Sequence, residues 1–143
     1  VGVPGTLRLM EFIHKRHGTM KWPELFQPAI KIAHNGFSIS PRLADSIASA
    51  QKRGLDQFSA AAQYFFNKDN SPKLAGVKLQ NRPLAKTFQL IAKEGADVFY
   101  KGSIARSIVS SVRTSKVNPG ILSLNDLDSY QVLLLTSKWE KDY

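Results

Sequence analysis

Trp22-Pro23-Glu24-Leu25-Phe26-Gln27-Pro28-Ala29-Ile30-Lys31-Ile32-Ala33-His34-Asn35-Gly36 is the stretch whose reading decides the fold class. Pro23 suits a first helical position, because its missing N–H is not needed there. Trp22, Leu25, Phe26, Ala29, Ile30 and Ala33 recur at helical spacing and form one apolar stripe. Asn35-Gly36 offers the left-handed exit that a helix end favours. Phe37 is expected to anchor back onto this helix.

The same grammar repeats on both sides. Upstream, Val3-Pro4-Gly5 is a turn and Thr6 a candidate cap. Leu9, Met10, Phe12 and Ile13 then carry a helical pattern until Gly18 stops it. Downstream, Ser40 reads as an N-cap and Pro41 as the first turn of a helix. Its buried face is Leu43, Ala44, Ile47 and Ala48, and Gly54 ends it. A shorter helix over 59–66 contains Ala60-Ala61-Ala62, which favours helix. Tyr64, Phe65 and Phe66 supply packing bulk there. Asp69-Asn70-Ser71-Pro72 is a turn cluster in an irregular stretch over 67–81, with a short extended piece around 77–79.

Helix resumes over 83–93, with Leu84, Phe88, Ile91 and Ala92 on one side and Gly95 at the exit. Phe99-Tyr100-Lys101-Gly102 reads as a turn. Ser103 is expected to cap a helix carrying Ile104, Ala105, Ile108, Val109 and Val112. Asn118-Pro119-Gly120 closes it. Ser123 followed three residues later by Asp126 resembles a capping box. Val132-Leu133-Leu134-Leu135 is β-like by its apolar run, so a short terminal strand is expected. A lone strand cannot satisfy its own backbone, which reads as a sign of a missing remainder. Val1 is not a start methionine, and the chain reads as cut from something longer.

A chain of 143 residues is about one domain by length. The hydrophobic content of 43% suits a globular protein and is too high for a disordered one. The absence of cysteine excludes disulfides, thiolate zinc sites and cysteine nucleophiles. No apolar run approaches the roughly 18 residues needed to span a bilayer. The net charge of +9 favours acidic surfaces. The bases are scattered, however, and no run of five exists, so a solvated basic surface is expected rather than a nucleic-acid face.

Chemical constellations are missing. His14 and His17 lie near one helix face, but neither they nor His34 has metal partners at ligand spacing. The carboxylates stand singly, or cap and compensate a helix start as Asp126 and Asp128 do. No serine stands in a Gly-x-Ser-x-Gly elbow, and no phosphate or dinucleotide loop is present. The residues alone give a basic, mainly helical unit without a catalytic centre.

The order of the short motifs adds what their chemistry does not. Val3-Pro4-Gly5-Thr6, His17-Gly18-Thr19-Met20, Leu25-Phe26-Gln27-Pro28-Ala29-Ile30-Lys31-Ile32-Ala33 and Asn35-Gly36-Phe37 come first. Gly36-Phe37-Ser38-Ile39-Ser40-Pro41-Arg42-Leu43-Ala44 continues the last of them. Leu84-Ala85-Lys86-Thr87, Ile91-Ala92, Glu94-Gly95, Phe99-Tyr100-Lys101-Gly102 and Leu124-Asn125-Asp126-Leu127-Asp128-Ser129-Tyr130 follow. Each alone is a cap or a turn. Together they resemble the large-subunit region of gamma-glutamyltransferases, amide-cleaving enzymes with an N-terminal threonine nucleophile. The chain departs from that family at Leu7-Arg8-Leu9-Met10, where small residues are usual. It follows no family pattern over 67–81 and fits poorly from Leu133 on.

The resemblance implies that residues 1–143 are a single helical fragment of a larger large subunit, covering one face of the α-β-β-α sandwich of N-terminal-nucleophile hydrolases. It implies a self-cleaving precursor and a threonine acyl-enzyme acting on gamma-glutamyl amides such as glutathione. The nucleophile and the carboxylate-gripping arginine belong to motifs that no residue here matches. Thr6, Thr19, Thr87, Thr114 and Thr136 are not candidates for the nucleophile. No catalytic, cofactor-binding or metal-binding residue is therefore assigned, and the fragment alone is expected to be inactive. The implied partners are the rest of the large subunit and the small subunit, with no nucleic acid and no membrane span. The implied location is periplasmic or extracellular. Exposed inner faces imply self-association of the isolated chain. A related acylase or a poly-gamma-glutamate processing enzyme is a close second reading. The alternative from another class is a freestanding basic helical interaction module.

Overall fold

The computed structural model describes residues 2–134. It is mostly helical, with one two-stranded sheet. In chain order the elements are α1 (Thr6–His17), α2 (Trp22–Asn35), β1 (Phe37–Ser38), α3 (Pro41–Gln51), a 3₁₀ turn (Leu55–Gln57), α4 (Ser59–Phe65), β2 (Lys78–Leu79), α5 (Arg82–Glu94), α6 (Asp97–Tyr100), α7 (Ser103–Arg113) and α8 (Leu124–Asp128). Among the described residues, no helix is long and apolar enough to cross a membrane.

The chain divides into two compact units. One runs from Phe26 to Gln89, and the other combines the residues up to Leu25 with those from Leu90 on.

In the 26–89 unit, Gly36 leaves α2 with φ +83°, as its Asn-Gly exit predicts. β1 then pairs antiparallel with β2, Phe37 opposite Leu79 and Ser38 opposite Lys78. The extended piece near 77–79 is thus confirmed, and its partner is the segment holding Phe37. Phe37 is exposed rather than an anchor. The anchoring apolar residues are its neighbours: Ile39, Ile47, Phe66 and Leu79 form the buried core, with Leu43, Ala44, Leu55, Tyr64 and Phe65 against it. Ser40 caps α3 as expected, its hydroxyl accepting the Leu43 N–H at 3.2 Å. Asp69 organises the 67–72 turn by accepting the Ser71 N–H at 3.0 Å and hydroxyl at 2.7 Å. The Asn81 side-chain oxygen accepts the Leu84 N–H at 2.9 Å and so caps α5.

In the other unit, Ala96, Tyr100, Ala105, Val109, Leu122 and Leu127 form the core. Val3, Leu7, Phe99, Ile108, Val112 and Tyr130 pack around it. The predicted face of α7 therefore faces the core. Ser123 and Asp126 complete the expected capping box of α8. Trp22 is held by its indole N–H, which donates to the Ile91 carbonyl at 3.1 Å.

Several expectations need correction. Thr6 and Ser103 are the first helical residues, and Gly5 and Gly102 occupy their N-cap positions without side-chain caps. The Phe99-Tyr100 half of the expected turn ends the short helix α6. Among the described residues, 132–134 form no strand; Leu135 lies outside them. No residue of α1 is buried, and Leu9, Met10 and Ile13 stand exposed.

Candidate functional site

Three motifs that are far apart in sequence converge on Tyr100, whose side chain is fully buried. Its hydroxyl donates to the Pro4 carbonyl at 2.7 Å and accepts the Arg8 N–H at 3.0 Å. Arg8 lies in the first turn of α1, where backbone N–H groups lack intrahelical acceptors. Gly5 has no side chain to cap that turn, so Tyr100 supplies the missing oxygen. The Tyr130 ring stacks on Tyr100 with centroids 6.1 Å apart and planes 6° apart. Tyr130 also presses its hydroxyl on Gly5, where a Cβ would overlap it. Pro4-Gly5, Phe99-Tyr100 and Ser129-Tyr130 are thereby locked together.

Charge surrounds this lock. The Arg8 guanidinium lies 4.3 Å from the Tyr100 ring centroid, a cation–π position. It donates to Asp97 at 2.7 Å and sits 3.5 Å from Glu11. Glu11 accepts the Ala96 N–H at 2.9 Å and pairs with Lys15 at 3.1 Å. Lys101 and Asp128 pair at 3.3 Å. An open cleft of about 420 Å³ is lined by Arg8, Glu11, Asp97, Lys101, Asp128 and Tyr130, among others.

The protonation states follow from these contacts. The hydrogen bond from Arg8 holds the Asp97 carboxyl below the usual carboxylate range. Burial alone would raise Glu11, but the Ala96 N–H, Lys15 and Arg8 outweigh it and the net direction is down. Burial pushes the Tyr100 phenol up. At neutral pH both carboxylates are ionised and clasped, while the phenol is protonated with its oxygen engaged. These contacts clasp α1 to residues 96–100. Among the described residues, no group of three His, Asp or Glu could hold a metal ion.

Of the carboxylates singled out in the sequence, Asp128 lines this cleft and Asp126 caps α8. The His14 Nε2 contacts the Met20 carbonyl at 2.8 Å, and His34 contacts Asn35 at 3.1 Å. The Thr87 hydroxyl donates to the Pro83 carbonyl within α5, and the Thr114 hydroxyl, just past the end of α7, donates to the Ser110 carbonyl. Thr136 lies outside the described residues. The Arg8–Glu11–Lys15 spacing was a visible i,i+3 and i,i+4 signal. Asp97, 89 residues from Arg8, carried none.

Comparison with known proteins agrees with the motif order. The family model described as gamma-glutamyltranspeptidase matches residues 1–140. The glutathione hydrolase proenzyme of Bacillus subtilis is 35% identical over 139 residues, covering 97% of this chain and 23% of the relative. The gamma-glutamyltranspeptidase of Helicobacter pylori superposes with a TM-score of 0.82 at 40% identity, over 92% of this chain and 36% of that one. The transpeptidase enzyme CapD of Bacillus anthracis gives 0.77 at 33% identity, over 92% of this chain and 42% of that one. The chain thus spans about a quarter of the length of the curated relatives it matches. By the near-complete family match and these likenesses, the chain belongs to the gamma-glutamyltranspeptidase family.

Proposed function

We propose that residues 1–143 are a non-catalytic scaffold segment of the large subunit of a gamma-glutamyltransferase-like enzyme. The observation that carries this reading is the family match over 1–140 combined with a span of only 23% of the Bacillus subtilis relative. That relative is called a proenzyme, which supports a precursor that cleaves itself. In this reading the cleavage frees an N-terminal threonine outside this segment. Its hydroxyl attacks the carbonyl of a gamma-glutamyl amide such as glutathione, with its own amine as base. Water or an acceptor amine then releases the acyl group. The proposed location is periplasmic or extracellular.

Within this scheme no residue of the segment touches the reacting atoms. The Tyr100 lock and the Arg8 clasp shape the segment. The partners are the rest of the large subunit and the small subunit. Leu9, Met10, Ile13 and Met20 stand roughly half exposed and offer apolar surface for that remainder to cover. The isolated chain therefore self-associates and binds hydrophobic dye; a monodisperse monomer with little dye binding would count against the scaffold role.

The test compares gamma-glutamyl amide hydrolysis by the whole natural protein with that by residues 1–143. Turnover is expected from the whole protein and none from the segment. Turnover by the segment itself would place catalytic groups here and overturn the reading.

A further inference from the structure

Asn35 and Gly36 sit where α2 hands over to β1, and Asn35 is the one asparagine of this sequence that a glycine follows. An asparagine side-chain amide can be attacked by the backbone nitrogen of the next residue, and glycine leaves that nitrogen unshielded. In the 26–89 unit the groups of this reaction are engaged elsewhere. The Gly36 N–H donates to the Ile32 carbonyl at 2.8 Å, closing the last turn of α2. The Asn35 side-chain oxygen accepts from the His34 Nδ1 at 3.1 Å. The Gln80 side-chain amide donates to the Asn35 carbonyl at 3.1 Å, and the Asn81 N–H to the Ala33 carbonyl at 2.9 Å. Asn35 is also the last residue of α2, so closing a five-membered ring onto the next nitrogen requires it to leave helical torsions.

This clamp is local. β1 and β2 pair over two residues each, Phe37 with Leu79 and Ser38 with Lys78. Phe37, Ser38 and Lys78 are exposed. Short, solvated pairings lie at the low end of the local stabilities within a protein, so this junction opens more readily than the core at Ile39, Ile47 and Phe66 unfolds.

We propose that Asn35-Gly36 is a self-modification site that the folded junction keeps closed and that local opening activates. Once released, the Gly36 nitrogen loses its proton to a solvent base and attacks the Asn35 side-chain carbonyl carbon. A carbon–nitrogen bond forms, the bond to the side-chain amide nitrogen breaks, and ammonia leaves with a proton taken from water. Water then opens the resulting succinimide at either carbonyl and restores the backbone N–H. The products are aspartate and isoaspartate at 35, with water consumed and ammonia released. Both oppose reclosure. Each places a carboxylate at the C-terminal end of α2, the negative end of the helix dipole. Isoaspartate also lengthens the main chain by a carbon, at a point where the Leu79 carbonyl lies only 2.8 Å from a Cβ position on Gly36.

The test incubates the whole natural protein in mildly alkaline buffer, with and without urea. Residue 35 is followed by peptide mass mapping and isoaspartate methyltransferase labelling. In urea, residue 35 is expected to convert ahead of every other asparagine of the chain. In the native protein, its conversion is expected to be at least about tenfold slower than in urea. Gln80→Ala removes one bond of the clamp at an exposed side chain. It raises the native rate about threefold and leaves the rate in urea unchanged. In the converted native fraction, amide exchange over 36–39 is faster than in the unconverted one. Equal rates in urea and in native buffer would overturn the proposal. So would another asparagine converting ahead of residue 35 in urea, or a Gln80→Ala variant whose native rate is unchanged.

Discussion

A first-turn amide of α1 finds its acceptor on a tyrosine 92 positions away, and that bond explains why Tyr100 and Gly5 suit their places. Removing the hydroxyl in Tyr100→Phe leaves the Pro4 carbonyl and the Arg8 N–H without partners. The expected loss is about 1–3 kcal/mol, read as a lower urea midpoint of the chain. Gly5→Ala drives a methyl into the Tyr130 hydroxyl and costs about 1–3 kcal/mol. Combined with Tyr130→Ala, it costs less than the two single changes summed, because the clash is gone. The charged groups make stability depend on pH in two opposite directions. Glu11 and Asp97 have lowered values when folded, so their contribution is present above about pH 4 and is lost as pH falls through the folded values. Tyr100 has a raised value, so its contribution is full below about pH 10 and is lost as pH rises through the folded value. Arg8→Met flattens the acid limb and Tyr100→Phe removes the alkaline one, as urea midpoints across pH would show. Asp97 is largely exposed, so its ion pair with Arg8 contributes less than about 1 kcal/mol.

Helix ends were legible wherever the signal and its target lie within three or four residues. Ser40 and Ser123 read correctly because each side chain reaches an amide three positions on. Replacing either by Ala is expected to cost about 1 kcal/mol, visible as a lower thermal midpoint; an unchanged midpoint would mean water replaces the cap. Thr6 and Ser103 misled because each follows a glycine that takes the cap position itself. The sheet was half legible: the extended piece at 77–79 stood out, but its partner lies some forty residues back and is only two residues long. Gly36 links the two readings. Its left-handed φ was visible in Asn35-Gly36, whereas the Leu79 carbonyl 2.8 Å from a would-be Cβ was not. Gly36→Ala therefore combines backbone strain with a clash against β2, and costs about 2 kcal/mol or more. α1 shows the reverse situation, an apolar pattern that the described residues do not bury.

For the whole molecule, motif order revealed the family while no single motif carried chemistry. The order could be read in one dimension, but the convergence of Pro4-Gly5, Tyr100 and Tyr130 needed three. The clasped carboxylates of Glu11 and Asp97 and the bonded phenol of Tyr100 join α1 to residues 96–100. Leu9, Met10 and Ile13 of α1 stand exposed, in a segment that spans about a quarter of its relatives' length. The central claim is that this segment is the inert scaffold of a self-processing amidase. It is tested most directly by purifying the natural protein that contains the segment and determining the masses and N-termini of its products. The account predicts two products from one precursor, with residues 1–143 intact within the larger and a new N-terminal threonine on the smaller. A natural product near the 15.9 kDa of this chain, with no precursor, would contradict it.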